Sequence, residues 1–305
     1  MEILRLDHIE KHFGDVRAIQ DLTLTVTAHS VFGFIGKNGA GKTTTMKMIM
    51  GFLPPSSGEI YVCGEKVNYG DTKTNRHIGY LPDVPEFYGY MFPEQYLELC
   101  GEIAGQKPTQ IKKKVTQLLK LVGLKGVRRK IEGFSRGMKQ RLGIAQALLN
   151  QPKLLICDEP TSALDPIGRK EILEILSKVS EQTTILFSTH ILSDVERICD
   201  RIGILDQGKL IVQGNLAEIR STYRQDTILI ELADQNCPAS FAAKLRSLPF
   251  VSEVVMKENT ITIHLTDITK KAGKILELLA REQIPVIKYE VLEPSLENVF
   301  LEMIK

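Results

Sequence analysis

The chain has 305 residues, 43% of them hydrophobic, and a formal charge of +2 at pH 7. That length exceeds the usual single domain, so one larger domain followed by a smaller one is expected. So mild a charge, with Lys and Arg spread along the sequence, excludes a nucleic-acid footprint as the default.

Met1 to Asp7 alternate apolar and polar residues like a strand and lack the basic-then-apolar plan of a signal peptide, which predicts no secretion. No apolar run reaches the roughly 20 residues that cross a bilayer, so any membrane role requires a partner that does the crossing. The five cysteines, Cys63, Cys100, Cys157, Cys199 and Cys237, contain no CxxC pair and read as reduced thiols.

Up to about Leu216, short apolar runs alternate with helical patterns, the signature of a mainly parallel sheet with crossover helices. Val31 to Ile35 is the first buried strand. Gly36-Lys37-Asn38-Gly39-Ala40-Gly41-Lys42-Thr43 follows, fits GxxxxGK[ST], and leads into Thr44 and an apolar helix through Met46, Ile49 and Met50. Glycines there let backbone N–H groups turn inward around phosphates. Lys42 adds a cation for the β- and γ-phosphates, and Thr43 offers a hydroxyl to Mg²⁺ at the positive end of a helix.

Phe87, Tyr88, Tyr90 and Phe92 then cluster in a short stretch and read either as core or as the lining of a groove. From about 93 to 150 the pattern is helical, with a solvated lysine face at Lys112 to Lys114. Phe134-Ser135-Arg136-Gly137-Met138-Lys139-Gln140-Arg141 precedes an amphipathic helix. Leu154-Leu155-Ile156-Cys157-Asp158-Glu159-Pro160 places two carboxylates at the end of a buried strand. Ser162-Ala163-Leu164-Asp165 comes next, and His190 stands just beyond the strand Thr184 to Ser188. Ile202 to Leu205 and Lys209 to Val212 flank the turn Asp206-Gln207-Gly208 and form a hairpin edge.

With this ordered set of segments, residues of about 1–220 resemble the ATPase subunits of ABC transporters. The resemblance implies an α/β fold of the P-loop NTPase class: a mainly parallel sheet, an antiparallel β part and a helical subdomain at about 93–150. It implies ATP and Mg²⁺ as cofactors. Phe13 would stack on adenine beside Val16, while Gly36, Asn38, Gly39, Ala40, Gly41, Lys42, Thr43 and Thr44 would hold the phosphates. Asp158 would hold Mg²⁺ with Thr43, Glu159 would be the general base for the attacking water, and His190 would contact the γ-phosphate. Ser135 and Gly137 match the signature segment that faces the nucleotide of the opposite subunit, and Asp165 would cross the same interface.

Two positions depart from the family pattern. The signature reads Ser135-Arg136-Gly137-Met138 where the commonest form has two consecutive glycines and a glutamine, so Arg136 adds a cation near the trans phosphate, a change expected to be tolerated because the inferred contacts use Ser135 and Gly137. Asp83, after Ile78-Gly79-Tyr80-Leu81-Pro82, stands where the family places a glutamine that touches Mg²⁺. It is expected either as a metal ligand or relay, or as a turn former before Pro85.

Residues 221–305 read as strand, helix, strand, strand, helix, strand, helix, the βαββαβ order of a small ferredoxin-like α+β domain after a helical linker near 217–224. The predicted elements are Thr227 to Leu232, Pro238 to Leu248, Val251 to Met256, Thr260 to Leu265, Ile268 to Glu282, Val286 to Val291 and Ser295 to Lys305. The tail Leu292 to Leu301 and the Gly137-Met138-Lys139-Gln140-Arg141 form of the signature resemble the drug- and antibiotic-exporter branch, of the ABC-2 type. The expectation is an ATP-hydrolysing subunit that works as a homodimer or pseudo-symmetric dimer, peripheral to the inner membrane face through a separate permease, without nucleic acid. The alternative is a soluble ABC ATPase that acts on ribosomes or nucleic acid.

Overall fold

Glu2 to Thr27 build a long antiparallel hairpin, β1 (Glu2–Phe13) and β2 (Val16–Thr27), whose inward residues Leu4, Leu6, Ile9, Leu22 and Leu24 are fully buried. The computed structural model describes residues 1–71, 73–222, 226–233, 239–292 and 296–303. These fall into two compact units, Met1–Ala217 and Glu218–Met303.

In the first unit the hairpin leads to β3 (Val31–Ile35), the phosphate loop and α1 (Lys42–Ile49), then to β4 (Ser57–Val62), β5 (Glu65–Lys66) and β6 (Ile78–Leu81). Three helices follow: α2 (Pro93–Ile103), α3 (Pro108–Leu121) and α4 (Arg136–Ala147). The chain then returns through β7 (Leu154–Asp158), α5 (Pro166–Ser180), β8 (Thr184–Thr189), α6 (Leu192–Ile198), β9 (Arg201–Asp206), β10 (Lys209–Asn215) and α7 (Leu216–Thr222), the last of which carries the division between the units.

Two sheets result. One has the order β2-β1-β4-β5 and is antiparallel throughout. The other has the order β10-β9-β3-β8-β7-β6, parallel from β9 to β6, with β10 as the antiparallel hairpin edge expected from the sequence. Every residue of β3, β7 and β8 is buried. Strands covered on both faces read as unbroken apolar runs, which is why these were visible in the sequence. Phe32, Phe34, Met46, Ile156 and Leu186 join the inward residues of β1 and β2 in one core. Burial of each such side chain contributes about 1.5–3 kcal/mol.

This stacking fixes the site, because the carboxyl ends of β3, β7 and β8 lie side by side in register: Ile35 pairs with Thr189, and Asp158 with Ser188. In open parallel sheets the crevice beyond those ends is where ligands bind. α4 packs on β6 at close range. A Cβ added at Gly143 would stand 2.6 Å from Leu81 Cδ1, so a larger residue there would force the Leu81 side chain to shift.

The second unit comprises β11 (Thr227–Leu232), α8 (Ala239–Arg246), β12 (Val251–Lys257), β13 (Thr260–Leu265), α9 (Ile268–Arg281), β14 (Val286–Leu292) and α10 (Leu296–Met303). Its antiparallel sheet has the order β12-β13-β11-β14, the topology of a ferredoxin-like domain. Ile228, Ile230, Ile261 and Ile263 on alternate strand positions meet Phe241, Leu245, Ile275 and Leu279 from the helices in a core of their own. The predicted ends Pro238, Ser295 and Lys305 lie outside the described residues, as do Cys237 and residues 293–295 of the tail motif. The other four cysteines are free thiols.

Phe187 is fully buried at the centre of β8. Phe187→Ala is expected to cost about 3–5 kcal/mol in urea denaturation, from the lost transfer energy plus the cavity left behind. Tyr69→Ala, at a position 65% exposed, is expected to stay within about 0.5 kcal/mol of the parent.

Candidate nucleotide site

The site is built where three strand ends meet one helix start. β3 stops at Ile35, the loop 36–41 turns outward, and α1 begins after Gly41, which takes a φ of 109° that side-chain-bearing residues rarely adopt. An added Cβ at Gly39 would meet no heavy atom within 4 Å, so the outer rim of the loop is open. Lys42 is 6% exposed, and its ammonium donates to the loop's own carbonyls, to Gly36 O at 2.7 Å and Lys37 O at 3.3 Å. Thr43 and Thr44 follow in the first turn of α1, where unpaired N–H groups and the helix dipole favour an anion.

Asp158, 4% exposed at the end of β7, joins these pieces. Thr43 Oγ1 donates to its Oδ2 at 2.8 Å, and Ser188 Oγ on β8 donates to its Oδ1 at 2.6 Å. One carboxylate thereby ties the start of α1 to two strands. Hydrogen bonds to a charged acceptor each contribute about 1.5–3 kcal/mol, which offsets part of the cost of burying this group.

Glu159 comes next, with φ of 48°, a left-handed conformation that is strained for a residue bearing a side chain. Its N–H is held by Ser188 through both the carbonyl and the hydroxyl, each at 3.1 Å. The carboxylate is held on both sides: Oε1 lies 3.2 Å from Lys42 Nζ, and Oε2 lies 2.8 Å from His190 Nδ1. An ionised carboxylate only accepts, so this contact places a proton on His190 Nδ1. The contact with Lys42 is an ion pair that lacks hydrogen-bond geometry, which leaves Glu159 Oε1 buried with no hydrogen-bond partner. A buried acceptor left open beside a cation and a hydroxyl-lined carboxylate suits a phosphate, a divalent ion and an attacking water. The residues present therefore fit ATP with Mg²⁺.

The segment after Glu159 is pinned separately. Asp194, 3% exposed, accepts from Thr161 Oγ1 and Arg169 Nη2, both at 2.7 Å. At the hairpin turn, Phe13 and Val16 face each other across the β1–β2 ladder and are 49% and 65% exposed, an apolar pair open to a flat ring.

Other sequence-derived residues stand apart from this cluster. Ser135 caps α4 by accepting from Met138 N at 3.3 Å, and Gly137 lies in that helix's first turn with nothing nearer to an added Cβ than Leu164 Cδ2 at 3.9 Å. Asp165 caps α5 and accepts from Gly168 N at 3.0 Å. Asp83 does not bond to the Thr43–Asp158 pair. Its carboxylate takes Arg136 at 3.1 Å together with the Ser162 hydroxyl. Tyr80 on β6 feels both acids: its phenol is pushed up to about 12, first by burial and then by the charges of Asp158 and Asp83. In the aromatic cluster, Phe87 packs edge-on against Tyr96 at 5.1 Å, whereas Tyr88 and Tyr90 stack on each other at 6.0 Å and stay exposed.

Residues 19–162 match the ABC transporter family, and residues 214–304 match the C-terminal domain of DrrA1-3-like ATP-binding proteins. An uncharacterized ABC transporter ATP-binding protein, YxlF of Bacillus subtilis (strain 168), is 35% identical over 99% of this chain and 99% of its own length. This chain belongs to the ABC transporter ATP-binding family. The bacitracin transport ATP-binding protein BcrA of Bacillus licheniformis is 34% identical, with 99% of this chain and 97% of BcrA covered. A solved ATP-binding subunit of an ABC transporter superposes with a TM-score of 0.65 at 32% identity, over 72% of this chain and 93% of that one. The resemblance to the antibiotic-exporter branch therefore extends through the second unit of this ABC protein.

Ser188 and Asp194 were not singled out from the sequence, since a serine inside a strand and an aspartate inside a helix carry no local signal. Ser188→Ala removes a donor to a buried carboxylate and an acceptor of the Glu159 N–H. It is expected to cost about 1–3 kcal/mol in thermal denaturation, whereas Ser177→Ala at an exposed position of α5 changes little.

Proposed function

We propose that this ABC protein hydrolyses ATP as a sandwich dimer and drives a separate membrane permease for export. The observation that carries the reading is the meeting of Lys42, Glu159 and His190 over the Thr43–Asp158 pair. Thr43 and Asp158 would hold Mg²⁺, which when bound neutralises charge on the phosphates. Lys42 exchanges its loop carbonyls and Glu159 for phosphate oxygens, and this frees Glu159 Oε1 to accept a proton from the attacking water. His190 keeps the carboxylate oriented and reports the γ-phosphate. Phe13 and Val16 receive the adenine ring.

One such loop leaves a face of the triphosphate in water. Ser135, Gly137 and Asp165 sit at two helix starts and are satisfied locally, so they suit a nucleotide carried by a second subunit, where they would add positive field and exclude solvent. Closure on two nucleotides and reopening after hydrolysis would then be the stroke delivered to the permease.

Among the described residues no helix is long and apolar enough to cross a membrane, in keeping with a separate crossing subunit. A groove of about 740 Å³ lined by Phe87, Tyr88, Tyr96, Leu99 and Ile103 has the size and apolar character to take a short helix of that permease. Export is supported by the similarity to BcrA, a bacitracin transport protein, and by the matching second unit. The reading places the chain on the inner face of the membrane.

Glu159→Gln is expected to bind ATP, accumulate as a nucleotide-dependent dimer in light scattering, and hydrolyse about 10²–10⁴-fold more slowly. Ordinary turnover by that variant, or specific activity unaffected by dilution in a protein that stays monomeric, would refute the proposal. Ile103, 77% exposed at the groove, gives a separate test. Ile103→Glu is expected to release the chain from its membrane partner in detergent co-purification while ATP binding persists.

A further inference from the structure

We infer that Asp83 and Arg136 act as one unit, a charge clamp that, with Ser162, holds the start of α4 to the turn after Glu159 within a single subunit. Both residues stand at positions that depart from the family pattern, and the fold brings them together across 53 positions of sequence. Arg136 Nη2 donates to Asp83 Oδ1 and to Ser162 Oγ, each at 3.1 Å, and the Ser162 hydroxyl donates to the same Asp83 oxygen. Three segments meet at that point: the loop leaving β6, the first residue of α4, and the turn reached three residues past Glu159.

A second tether runs alongside. Gln140, one helical turn beyond Arg136 and fully buried, donates its side-chain amide to the backbone carbonyl of Asp83. Positions four apart share a helix face, so Arg136 and Gln140 grip the same loop from one side of α4. The close packing of Gly143 on Leu81 continues the contact along the helix.

Charge explains why the substitutions belong together. A carboxylate beside a site for a triphosphate would repel it, and a guanidinium at an exposed helix start opposes the dipole there. Paired, each cancels the fault of the other. Both side chains are about half-exposed, at 47% for Asp83 and 40% for Arg136, so the pair does little for global stability. Its effect is orientation: it sets the angle at which Ser135 and Gly137 face outward and links that angle to the turn that carries Glu159. Asp83 and Arg136 are positioning residues.

The test compares Asp83→Gln, Arg136→Gly and the double variant, which restores the pair of residue types usual in the family. The clamp rests on the ATPase reading for its kinetic effect, so two measurements are made on the full chain. In Mg-ATP turnover each single variant is expected to lose about tenfold in kcat with KM within about twofold, and the double variant to recover to within about threefold of the parent. In hydrogen exchange without nucleotide, the Met138 and Lys139 amides are expected to exchange several-fold faster in each single variant, and no faster in the double. Melting temperatures should stay close to the parent's.

Losses that multiply in the double variant, or singles indistinguishable from the parent in both measurements, overturn the clamp. So does a raised Mg²⁺ requirement confined to Asp83→Gln with Arg136→Gly neutral, which would make Asp83 a metal ligand. The exchange measurement needs no ATP, so a parent chain without turnover would sink the ATPase reading and still leave the clamp decided.

Discussion

The first unit depends on one buried carboxylate. Asp158 accepts from Thr43 at the start of α1 and from Ser188 on β8, so the phosphate loop, the helix behind it and two central strands share a single charged anchor. Without its donors a carboxylate 4% exposed would carry the full cost of desolvation. With them it fixes the distance between loop and strand, and Glu159 inherits that position one residue later. The arrangement is an energetic compromise: a polar group is buried in the fold, and in return the loop and the strand ends are held in fixed alignment.

Much of this was legible from local pattern. The unbroken apolar runs of β3, β7 and β8 announced doubly covered strands, and the glycine-rich loop between β3 and α1 announced phosphate binding, because each signal sits within a few consecutive residues. The βαββαβ order of the second unit could be read the same way. The long first hairpin was harder. Its ladder carries register shifts between Leu6 and Ile9 and again near Lys11, which break the alternation that marks a strand, so only its opening residues were read as one.

What the sequence hid were partners far apart along the chain. Asp83 and Arg136 could each be named as odd, yet nothing in the pattern says that one answers the other, since only the packing of α4 on β6 brings them together. Asp194 is similar. It lies inside α6 as an ordinary polar residue, and its function as the anchor of Thr161 and Arg169 exists only once α5, α6 and the turn after Glu159 have assembled. In both cases the missing information is tertiary: a polar group's value depends on what the fold sets within about 3 Å of it.

The left-handed backbone at Glu159 carries one more implication. At a φ of 48° glycine is the residue that sits most comfortably, and a glutamate there costs on the order of 1–2 kcal/mol. Under the proposed role of Glu159 as general base, selection for heat tolerance and selection for turnover would pull this codon in opposite directions. A library screened only for thermal survival would then drift toward glycine at that position and fill with sturdy, idle cassettes.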